Sequence, residues 1–391
     1  MRGRPRLIFV CNAIDDRMRS ERGITSDSPA GTRKVFLACQ ALREVGIPSL
    51  VLSLGRGRSD GSRRRFAAAL RRVGGVPVLY MPFTHRRGAS ELISLIAPAF
   101  ALARLARKRE PRVVLFYNRL AAYLPALVTA RLLGWRAAYD LEDGEFGAVG
   151  VSALVSFAIR RTYDLLCDRA LLACTALAGM TQLKRKQPYY GTVDGVAGAR
   201  DWRSARLRVI LGGSLWEETG APALVAAIVK LRSEATDWAA ELAFDITGQG
   251  PILARFTELA AEAGSPEVVV WGRASDAQYR AIVDRAHVGL ALKPNLGPLA
   301  HTTFPSKVVE MSAAGLLVVT TDVSDVRAVL GDGALYLDED GPEPIIDALR
   351  SITEDRERSS KIAARGTQRV RSDLGPGRAG RLLADFLFDL A

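Results

Sequence analysis

Short apolar runs alternate along the chain with longer segments whose apolar residues recur every three or four positions. The runs predict buried strands, and the recurring pattern predicts helices that bury one face. In the first half the predicted strands are Leu7–Cys11, Ile47–Leu54, Val76–Met81, Val113–Tyr117, Ala137–Leu141 and Ala170–Cys174. Strands and helices in regular succession indicate a parallel sheet with helices on both faces.

The same alternation restarts after Tyr189–Ser204, a segment with several glycines and little helix or strand signal. Beyond it the predicted strands are Leu207–Leu211, Leu242–Thr247, Val268–Trp271, Val288–Leu292, Leu317–Thr320 and Ala334–Leu337. The pattern predicts an α/β chain of two doubly wound domains facing each other across a cleft. We place them at residues 1–190 and 206–372, with a linker at 191–205. Ligands of such sheets bind beyond the carboxyl ends of the strands.

One stretch of the second half, His301–Asp322, carries candidate chemistry. Pro305 predicts the start of a short helix, and Gly315 its end. On that helix Glu310 is expected to point away from the sheet, where its carboxylate can accept hydrogen bonds from paired hydroxyls. The N–H groups at Phe304–Lys307 are expected to receive a phosphate. Ribose and phosphate together indicate a nucleotide; the alternative is an ordinary αβ unit with solvated Glu and Lys side chains.

Composition narrows the class of protein. The 391 residues favour two domains, and 48% apolar content describes a folded chain. Four cysteines without a C-x-x-C pair predict reduced thiols rather than a zinc site. The first apolar run is too short for a signal peptide, and no run reaches the roughly 18 uninterrupted apolar residues of a membrane span. We therefore expect a cytoplasmic protein.

A net charge of +12 predicts an anionic partner. Arg56–Arg72 holds seven arginines, and the apolar helix predicted at Glu91–Arg109 becomes basic at its end. A further apolar helix, Val149–Ile159, runs into Arg160 and Arg161. These stretches are either solvated loops and helix ends or a surface that lies on an anionic bilayer at the inner membrane face. Nucleic acid is not expected, because no basic-aromatic recognition motif accompanies the arginines.

Four segments of the second half occur in a familiar order. They are Leu211-Gly212-Gly213-Ser214-Leu215, Phe244-Asp245-Ile246-Thr247-Gly248-Gln249-Gly250-Pro251, Val270-Trp271-Gly272-Arg273 and Pro305-Ser306-Lys307-Val308-Val309-Glu310-Met311. Across residues 205–340 the chain resembles the family 4 glycosyltransferases, which have the GT-B architecture of two Rossmann-like domains. The resemblance implies that the closing segment, residues 373–391, packs back on the first domain, and that a hinge lies near Gly195.

The resemblance also implies roles for individual residues. Glu310 matches the glutamate that holds the donor's ribose hydroxyls. Gly272 and Arg273 match the turn that reads the nucleobase. Gly213, with Ser214 beside it, matches the glycine turn near the donor diphosphate. In the first domain, Gly31 matches a loop beside donor and acceptor.

Several family residues are missing on the donor side. Thr302, followed by Thr303, stands where the first glutamate of the paired motif is expected. Ser214 and Thr219 stand near the positions of the Arg and Lys that hold the diphosphate. A diphosphate needs cations or several N–H donors. The remaining candidates are Lys293 and Lys307, which are alternatively ordinary surface lysines.

The first domain lacks the family's histidine. At the matching place stands Asp140-Leu141-Glu142-Asp143-Gly144-Glu145. Strand-end carboxylates there could stabilise an oxocarbenium-like centre, accept the acceptor's proton or bind sugar hydroxyls; a solvated acidic loop is the alternative. We favour Glu142, with Asp140, as the catalytic carboxylates. The Asp338-x-Asp340 pair is read as a turn, so neither a metal nor a cofactor is predicted.

These features predict a retaining, metal-independent glycosyltransferase. It would move a sugar from a nucleotide diphosphate donor to a polysaccharide or lipid-linked glycan, working in the cytoplasm or peripherally on the inner membrane face. An inactive subunit with the same fold is one alternative, favoured by the missing Arg and Lys. A nucleotide-sugar epimerase or phosphorylase is another.

Overall fold

The computed structural model describes residues 6–59, 64–106, 112–144, 151–194, 198 and 200–390. The chain forms two compact units: unit 1 comprises Met1–Thr192 with Leu374–Ala391, and unit 2 comprises Val193–Asp373. Parts of three predicted features lie outside the described residues. They are Gly195 of the hinge, Glu145 of the acidic segment, and Arg63 and 107–109 of the basic stretches.

Strands and helices alternate through both units. The strands are β1 Arg6–Cys11, β2 Ile24–Ser26, β3 Ser49–Ser53, β4 Arg58–Ser59, β5 Arg65–Phe66, β6 Ala69–Val73, β7 Val76–Tyr80, β8 Phe83–Thr84, β9 Arg112–Tyr117, β10 Arg136–Leu141, β11 Arg169–Leu172, β12 Lys186–Pro188, β13 Leu207–Ser214, β14 Leu242–Gln249, β15 Glu267–Gly272, β16 Val288–Ala291, β17 Leu317–Thr321 and β18 Ala334–Leu337. The helices are α1 Asp16–Glu21, α2 Pro29–Glu44, α3 Arg87–Leu105, α4 Leu124–Leu132, α5 Val151–Leu166, α6 Ala221–Glu234, α7 Asp237–Ala240, α8 Leu253–Ala261, α9 Asp276–Arg285, α10 Gly297–His301, α11 Lys307–Ala313, α12 Val326–Leu330, α13 Pro342–Glu354, α14 Arg356–Leu374 and α15 Pro376–Phe388.

The sheet of unit 1 has the order β12-β11-β10-β9-β1-β3-β7-β6. Its strands pair in parallel except for β6, which runs antiparallel to β7 at the edge. The prediction of a wholly parallel sheet is therefore wrong at this edge. The loop expected over Arg56–Arg72 is also wrong in part, because its last residues belong to β6. Gly74 and Gly75 both take left-handed backbone angles, with φ of 54° and 78°. Such a pair closes a two-residue hairpin turn, which allows β6 to fold back on β7.

Two helical layers cover the sheet of unit 1. On one face α2 and α15 pack against alternate residues of β1, with Leu383 and Leu387 in the same buried cluster as Leu7 and Phe9. A Cβ atom on Gly380 would lie 2.2 Å from the carbonyl oxygen of Ala41, so only glycine allows α15 to lie this close to α2. The helices α3, α4 and α5 form the other layer, in which α4 contacts both neighbours.

The sheet of unit 2 is parallel throughout, in the order β15-β14-β13-β16-β17-β18. From β13 the chain adds β14 and β15 on one side, and then β16, β17 and β18 on the other. The order therefore reverses between β13 and β16, and the carboxyl ends of these two strands mark the expected ligand crevice. The doubly wound fold predicted for both halves is confirmed.

Two local predictions need correction. Gly31, expected in a loop, lies in the first turn of α2, because the Ser28 side chain caps the helix by accepting from the Gly31 N–H at 3.3 Å. The helix expected from Pro305 begins at Lys307 instead. The backbone just before it forms a tight turn in which the Ser306 N–H donates to the Phe304 carbonyl at 2.9 Å.

Candidate functional site

In unit 1 two carboxylates and a lysine meet at the carboxyl edge of the sheet. Asp140 lies within β10 beside Tyr117 of β9, and its side chain is 1% exposed. Glu142 follows the strand. Lys34 of α2 donates to Asp140 Oδ1 at 3.1 Å and also to Glu142 Oε1. Its ammonium lies 5.0 Å from the centre of the Tyr189 ring. The three charged groups form one buried cluster.

The start of α2 determines where Lys34 lies. A Cβ atom on Gly31 would lie 2.8 Å from the Tyr117 hydroxyl, so the glycine lets this turn of the helix rest against β9. Lys34 follows one turn later, on the same side of the helix. Its side chain is 12% exposed. The first turn of α2 therefore directs the lysine at the carboxylates.

Burial and charge perturb this cluster strongly. Burial, followed by the negative charge of Glu142, raises the pKa of Asp140 to about 8, although Lys34 partly opposes the rise. Burial alone would lower the pKa of Lys34, but the two carboxylates raise it above its ordinary value. Near neutral pH the lysine is charged and the carboxyl pair holds a proton. Asp140 Oδ2 is buried with no hydrogen-bond partner among the described residues.

The structure modifies the predictions made for this segment. Asp140 is not part of a solvated acidic loop, because it lies in a buried strand. Glu142 is bound by Lys34 rather than standing alone at the strand end. Sequence reasoning missed Lys34. Its position on the buried side of an otherwise apolar helix face was the available signal, since a buried lysine is rarely found without a carboxylate partner.

A pocket of about 190 Å³ lies beside this cluster. It is lined by Asn118, Arg119, Leu120, Asp143, Gly144, Ser156 and Ile159. Arg119 is 5% exposed and donates to the Met180 carbonyl at 2.8 Å, which keeps its side chain at the pocket wall. The pocket combines polar and apolar walls, as a small-molecule site does.

In unit 2 a second cluster lies at the crevice between β13 and β16. Gly213, near the end of β13, has a φ of 117°, and the Lys307 side chain lies over it, with Cε 3.6 Å from the place of a Cβ atom. Lys307 Nζ donates to the Tyr279 hydroxyl at 2.9 Å and lies 3.6 Å from Glu310 Oε2. The sequence analysis did not single out Tyr279, which comes from the separate helix α9.

The other predicted donor residues occupy the same edge of this sheet or its surroundings. Lys293 comes two residues after the end of β16, and its carbonyl accepts from the Thr321 hydroxyl at 2.5 Å. Gly272 ends β15 with a φ of 59°, and Arg273 follows it. Ser214 ends β13 and is exposed.

Two predictions about the segment before α11 are changed by the structure. Thr302 is 7% exposed and its hydroxyl donates to the Pro298 carbonyl at 2.9 Å, within the turn of α10; Thr303 follows it and is half-buried. The row of N–H groups expected at Phe304–Lys307 is incomplete, because Pro305 has none and that of Ser306 is used by the tight turn. Side chains, rather than that row, remain the candidates for holding an anion.

A buried carboxylate supports the turn at Gly272. Asp245, in β14, is fully buried and accepts from Arg208 at 2.7 and 3.0 Å, from Trp271 Nε1 at 2.8 Å and from Arg285 at 2.5 Å. Burial would raise the pKa of Asp245, but these hydrogen bonds and charges outweigh it and lower the pKa below its ordinary value. Because Trp271 directly precedes Gly272, the network fixes the position of the turn.

The Asp338-x-Asp340 pair lies in a loop. There the carboxylate of Asp340 accepts from the Asn295 N–H at 2.9 and 3.2 Å, which ties two loops together. Among the residues that the structure describes, His, Cys, Asp and Glu side chains form no group of three that could hold a metal ion.

Comparison with known proteins finds a family match for unit 2. Residues 206–355 match the model of the family described as glycosyl transferases group 1. No curated protein sequence matches the chain. The matched range contains every donor-side residue described above, from Gly213 to Glu310.

Solved structures match over the whole chain. Sucrose-phosphate synthase from Thermosynechococcus elongatus has a TM-score of 0.67 at 12% identity, with 99% of each chain covered. HepE from Anabaena, in complex with UDP, has a TM-score of 0.67 at 13% identity, covering 98% of this chain and 100% of the other. TarM has a TM-score of 0.69 at 7% identity, with 98% of each chain covered. At these identities the likeness shows the fold.

The two doubly wound units are those of the GT-B architecture. Unit 2 matches the glycosyl transferases group 1 family and the solved structures share the fold of the whole chain, and both findings support a glycosyltransferase enzyme. The resemblance noted from the sequence is thereby confirmed.

Proposed function

We propose that the chain is a retaining, metal-independent glycosyltransferase that moves a sugar from a nucleotide diphosphate donor to a polysaccharide or lipid-linked glycan. The observation that carries the donor assignment is the cluster at α11. There a lysine and a glutamate one turn apart lie beside Gly213 at the crevice of unit 2. A cation for phosphate and a carboxylate for ribose hydroxyls are the two groups that a nucleotide diphosphate requires.

Lys307 is the proposed phosphate ligand. Its ammonium donates to the Tyr279 hydroxyl, lies 4.3 Å from the centre of that ring and forms a salt bridge with Glu310, and these contacts orient it. A phosphate oxygen makes a stronger, charge-assisted bond than a neutral phenol does, so the donor displaces the hydroxyl. Lys293, two residues after the end of β16, adds a second cation. Two cations neutralise a diphosphate without a metal ion, which is the basis for proposing metal independence.

Glu310 is the proposed ribose ligand. Its side chain is 19% exposed and therefore open to a ligand from one side. The Gly272–Arg273 turn, held by the Asp245 network, is the proposed contact of the nucleobase. A neighbour of the same fold, HepE, was crystallised with UDP, which supports a nucleotide donor.

On the acceptor side, the proposed group is the cluster of Lys34, Asp140 and Glu142. Glu142 is the more exposed of the two carboxylates, with 16% of its side chain accessible, and is the one that takes the acceptor's hydroxyl proton. Asp140 keeps the shared proton, and Lys34 holds both groups in place. The pocket lined by Arg119 and Asp143 is the proposed acceptor subsite.

One observation favours an inactive subunit of the same fold as a second candidate. Ser214 and Thr219 offer no positive charge, and the Thr302 hydroxyl is used by its own helix turn. A subunit of this kind would keep the fold and lose binding of the donor.

A cytoplasmic location, peripheral on the inner membrane face, completes the proposal. Exposed arginines on the Arg56–Arg72 stretch support it: Arg58, Arg64, Arg65 and Arg72. Each such residue near an anionic surface adds about 1 kcal/mol of attraction, which falls with salt.

Thermal unfolding with a panel of UDP-, GDP-, ADP- and dTDP-sugars tests the donor assignment. A donor at 100 times its Kd stabilises the folded chain by about 2.7 kcal/mol, so at least one nucleotide should raise the Tm, with EDTA present as well as without it. Lys307→Met and Glu310→Gln should abolish the shift. Lys361→Met, on a lysine whose side chain is 65% exposed, should leave it unchanged. A flat response to the whole panel would favour the inactive subunit.

The transfer itself needs a separate measurement. Once a donor is known, NMR of the product reports whether the anomeric configuration is kept. Inversion would contradict the proposed mechanism while leaving the donor site intact.

A further inference from the structure

Three consecutive helical segments of unit 1 carry large apolar side chains on their outer side. Among the described residues, eleven of the seventeen exposed large apolar side chains lie on α3, on α4 with the turn before it, and on α5. We call this set the outer apolar face; it comprises Leu92, Ile96, Phe100, Leu120, Val128, Leu132, Val151, Leu154, Val155, Phe157 and Leu165. Clusters of this kind on a folded protein mark a surface that binds something apolar.

The helix α5 is the clearest case. Tyr163 is the buried residue of this 16-residue helix, while Leu154, Phe157 and Leu165 are 69%, 54% and 71% exposed. An amphipathic helix of a globular protein normally turns such residues toward the core. Here they face outward, so none of the described residues of unit 1 covers the apolar face of α5.

The helix α3 repeats the arrangement. Leu92, Ile96 and Phe100 recur every fourth residue and are each more than half exposed, at 57%, 55% and 58%. By length and composition α3 is apolar enough to cross a membrane. However, its opposite side, including Pro98 and Leu102, is buried in unit 1. The helix therefore belongs to this fold and exposes one side, as a helix does that lies flat at a membrane surface.

These helices form one continuous layer, since α4 contacts both α3 and α5. Val128 and Leu132, one turn apart on α4, are 43% and 82% exposed and fill the space between the other two stripes. The apolar side chains are thus neighbours on one side of unit 1 rather than scattered single residues.

Arginines accompany the aromatic side chains of this face. The guanidinium of Arg104 lies 4.7 Å from the centre of the Phe100 ring, and that of Arg160 lies 5.5 Å from that of Phe157. Arg161 is also exposed. A ring that inserts among acyl chains with a guanidinium above it, at the level of the phosphates, satisfies both groups.

More arginines lie where α3 begins. Arg86 and Arg87 are exposed at its first turn. The strand pairing of β5 with β8 brings Arg65 opposite Thr84, just before that turn. The acids nearby are few: Glu91 is exposed on α3, and Asp164 of α5 accepts from Tyr139, Thr181 and Gln182. The charges around the apolar face are therefore mainly positive.

We infer that the outer apolar face docks unit 1 on an anionic lipid bilayer, with α3 and α5 lying in the plane of the interface and their leucine and phenylalanine side chains among the acyl chains. The inference deepens the proposed peripheral location and replaces attachment by charge alone with insertion. A second copy of the chain fits less well, because a twofold contact through this face would bring arginines of like charge together. Anionic lipid phosphates supply the opposite charge.

Co-sedimentation of the full chain with vesicles of phosphatidylcholine, with and without phosphatidylglycerol, tests the inference. We expect binding to the anionic vesicles, and a fraction that persists in high salt because inserted apolar side chains are not screened. The double variant Leu154→Glu/Phe157→Glu should lower the vesicle partition coefficient at least about tenfold. Both positions are exposed, so the substitutions should not disturb the fold.

The chain offers a matched control in unit 2. Val229→Glu/Leu296→Glu replaces two side chains that are 47% and 73% exposed, outside this face, and should bind vesicles as the unchanged chain does. The inference fails if the chain does not bind, or if binding is lost entirely in salt and is unaffected by the α5 variant. A variant that instead turns a dimer into a monomer in sedimentation equilibrium would assign the face to a second copy.

The nucleotide-sugar thermal shift separates this inference from the proposed function. An α5 variant that loses vesicle binding and keeps the shift leaves donor binding intact. Conversely, vesicle binding without any nucleotide shift would support the docking face and contradict the donor site.

Discussion

Asp140 and Asp245 are carboxylates at the same depth in two similar sheets, yet their surroundings are opposite. Both lie in interior strands and are at most 1% exposed. Asp245 accepts hydrogen bonds from Arg208, Arg285 and Trp271, and its pKa is lowered. Asp140 shares one lysine with a second carboxylate, and burial raises its pKa to about 8.

The difference is the one expected between a structural group and a group that handles protons. Asp245 has more donors than it needs to stay ionised, and it ties three strands and α9 together beside the Gly272 turn. Asp140 keeps one oxygen unpartnered and a proton within reach of neutral pH. A strongly raised carboxyl pKa at the ligand edge of a sheet is typical of groups that handle protons. The residue type is the same, and the number of cationic neighbours decides the direction of the pKa shift.

The largest effect is expected from Asp245→Ala. Removing the carboxylate leaves two guanidinium groups and an indole N–H without their shared acceptor, so unit 2 should lose about 4 kcal/mol of stability. Urea unfolding followed by tryptophan fluorescence reports this, because four of the five tryptophans lie in residues 202–271. Asp347→Ala, on a side chain that is 74% exposed, should change stability by less than about 0.5 kcal/mol. If both variants lost the same amount of stability, the structural role assigned to Asp245 would be wrong.

A smaller loss is expected from Lys34→Met. Without the ammonium, Asp140 and Glu142 face each other with no cation, which should cost about 3 kcal/mol at neutral pH. Hydrogen exchange of the β9 and β10 amides measures the loss locally. Lys230→Met breaks an exposed pair with Glu343 and should cost about 0.5 kcal/mol or less. Similar protection in both variants would mean that Lys34 does not hold the cluster.

A change of stability with pH, rather than a fixed loss, is expected from Asp140→Asn. Below the ordinary pKa of 3.8 both states of the chain are protonated at Asp140; as the pH rises toward about 8, the unfolded chain releases the proton and the folded chain keeps it. The unchanged protein should therefore lose stability relative to the variant as the pH rises between these values.

The pKa of Asp245 is lowered whereas that of Asp140 is raised, so Asp245→Asn is expected to depend on pH differently from Asp140→Asn. The stability that Asp245 contributes is present above its ordinary pKa and is lost as the pH falls through its lowered folded value. The gap between this variant and the unchanged protein should be constant from pH 5 to 8 and narrow only in acid. Urea midpoints across the pH series measure both variants, and parallel curves would show that the two sites do not differ.

Much of the fold could be predicted from the alternation of apolar runs and helical segments. The buried strands Val113–Tyr117 and Ala137–Leu141 were predicted to within a residue, because fully buried parallel strands form continuous apolar runs. The edge strand β6 was missed. Its arginines and exposed Leu70 lack such a run, and it forms only because the Gly74-Gly75 turn returns the chain to β7.

The candidate sites were predictable in part. Gly213, Lys307 and Glu310 belong to short motifs that are read within a few residues. Lys34 and Tyr279 could not be found in this way, since each meets its partners across more than 25 positions of the chain. Their roles depend on which helix faces which strand end.

The amino-acid sequence by itself determined the two doubly wound sheets, the positions of the carboxyl edges of their strands and the candidate donor motif of unit 2. All three are encoded in local periodicity and short spacing. The tertiary structure alone decided that Asp140 is buried against Lys34, that Lys307 rests on Tyr279, and that α5 turns its apolar side outward. An amphipathic pattern predicts that a helix has an apolar face, but only packing decides whether that face meets the core.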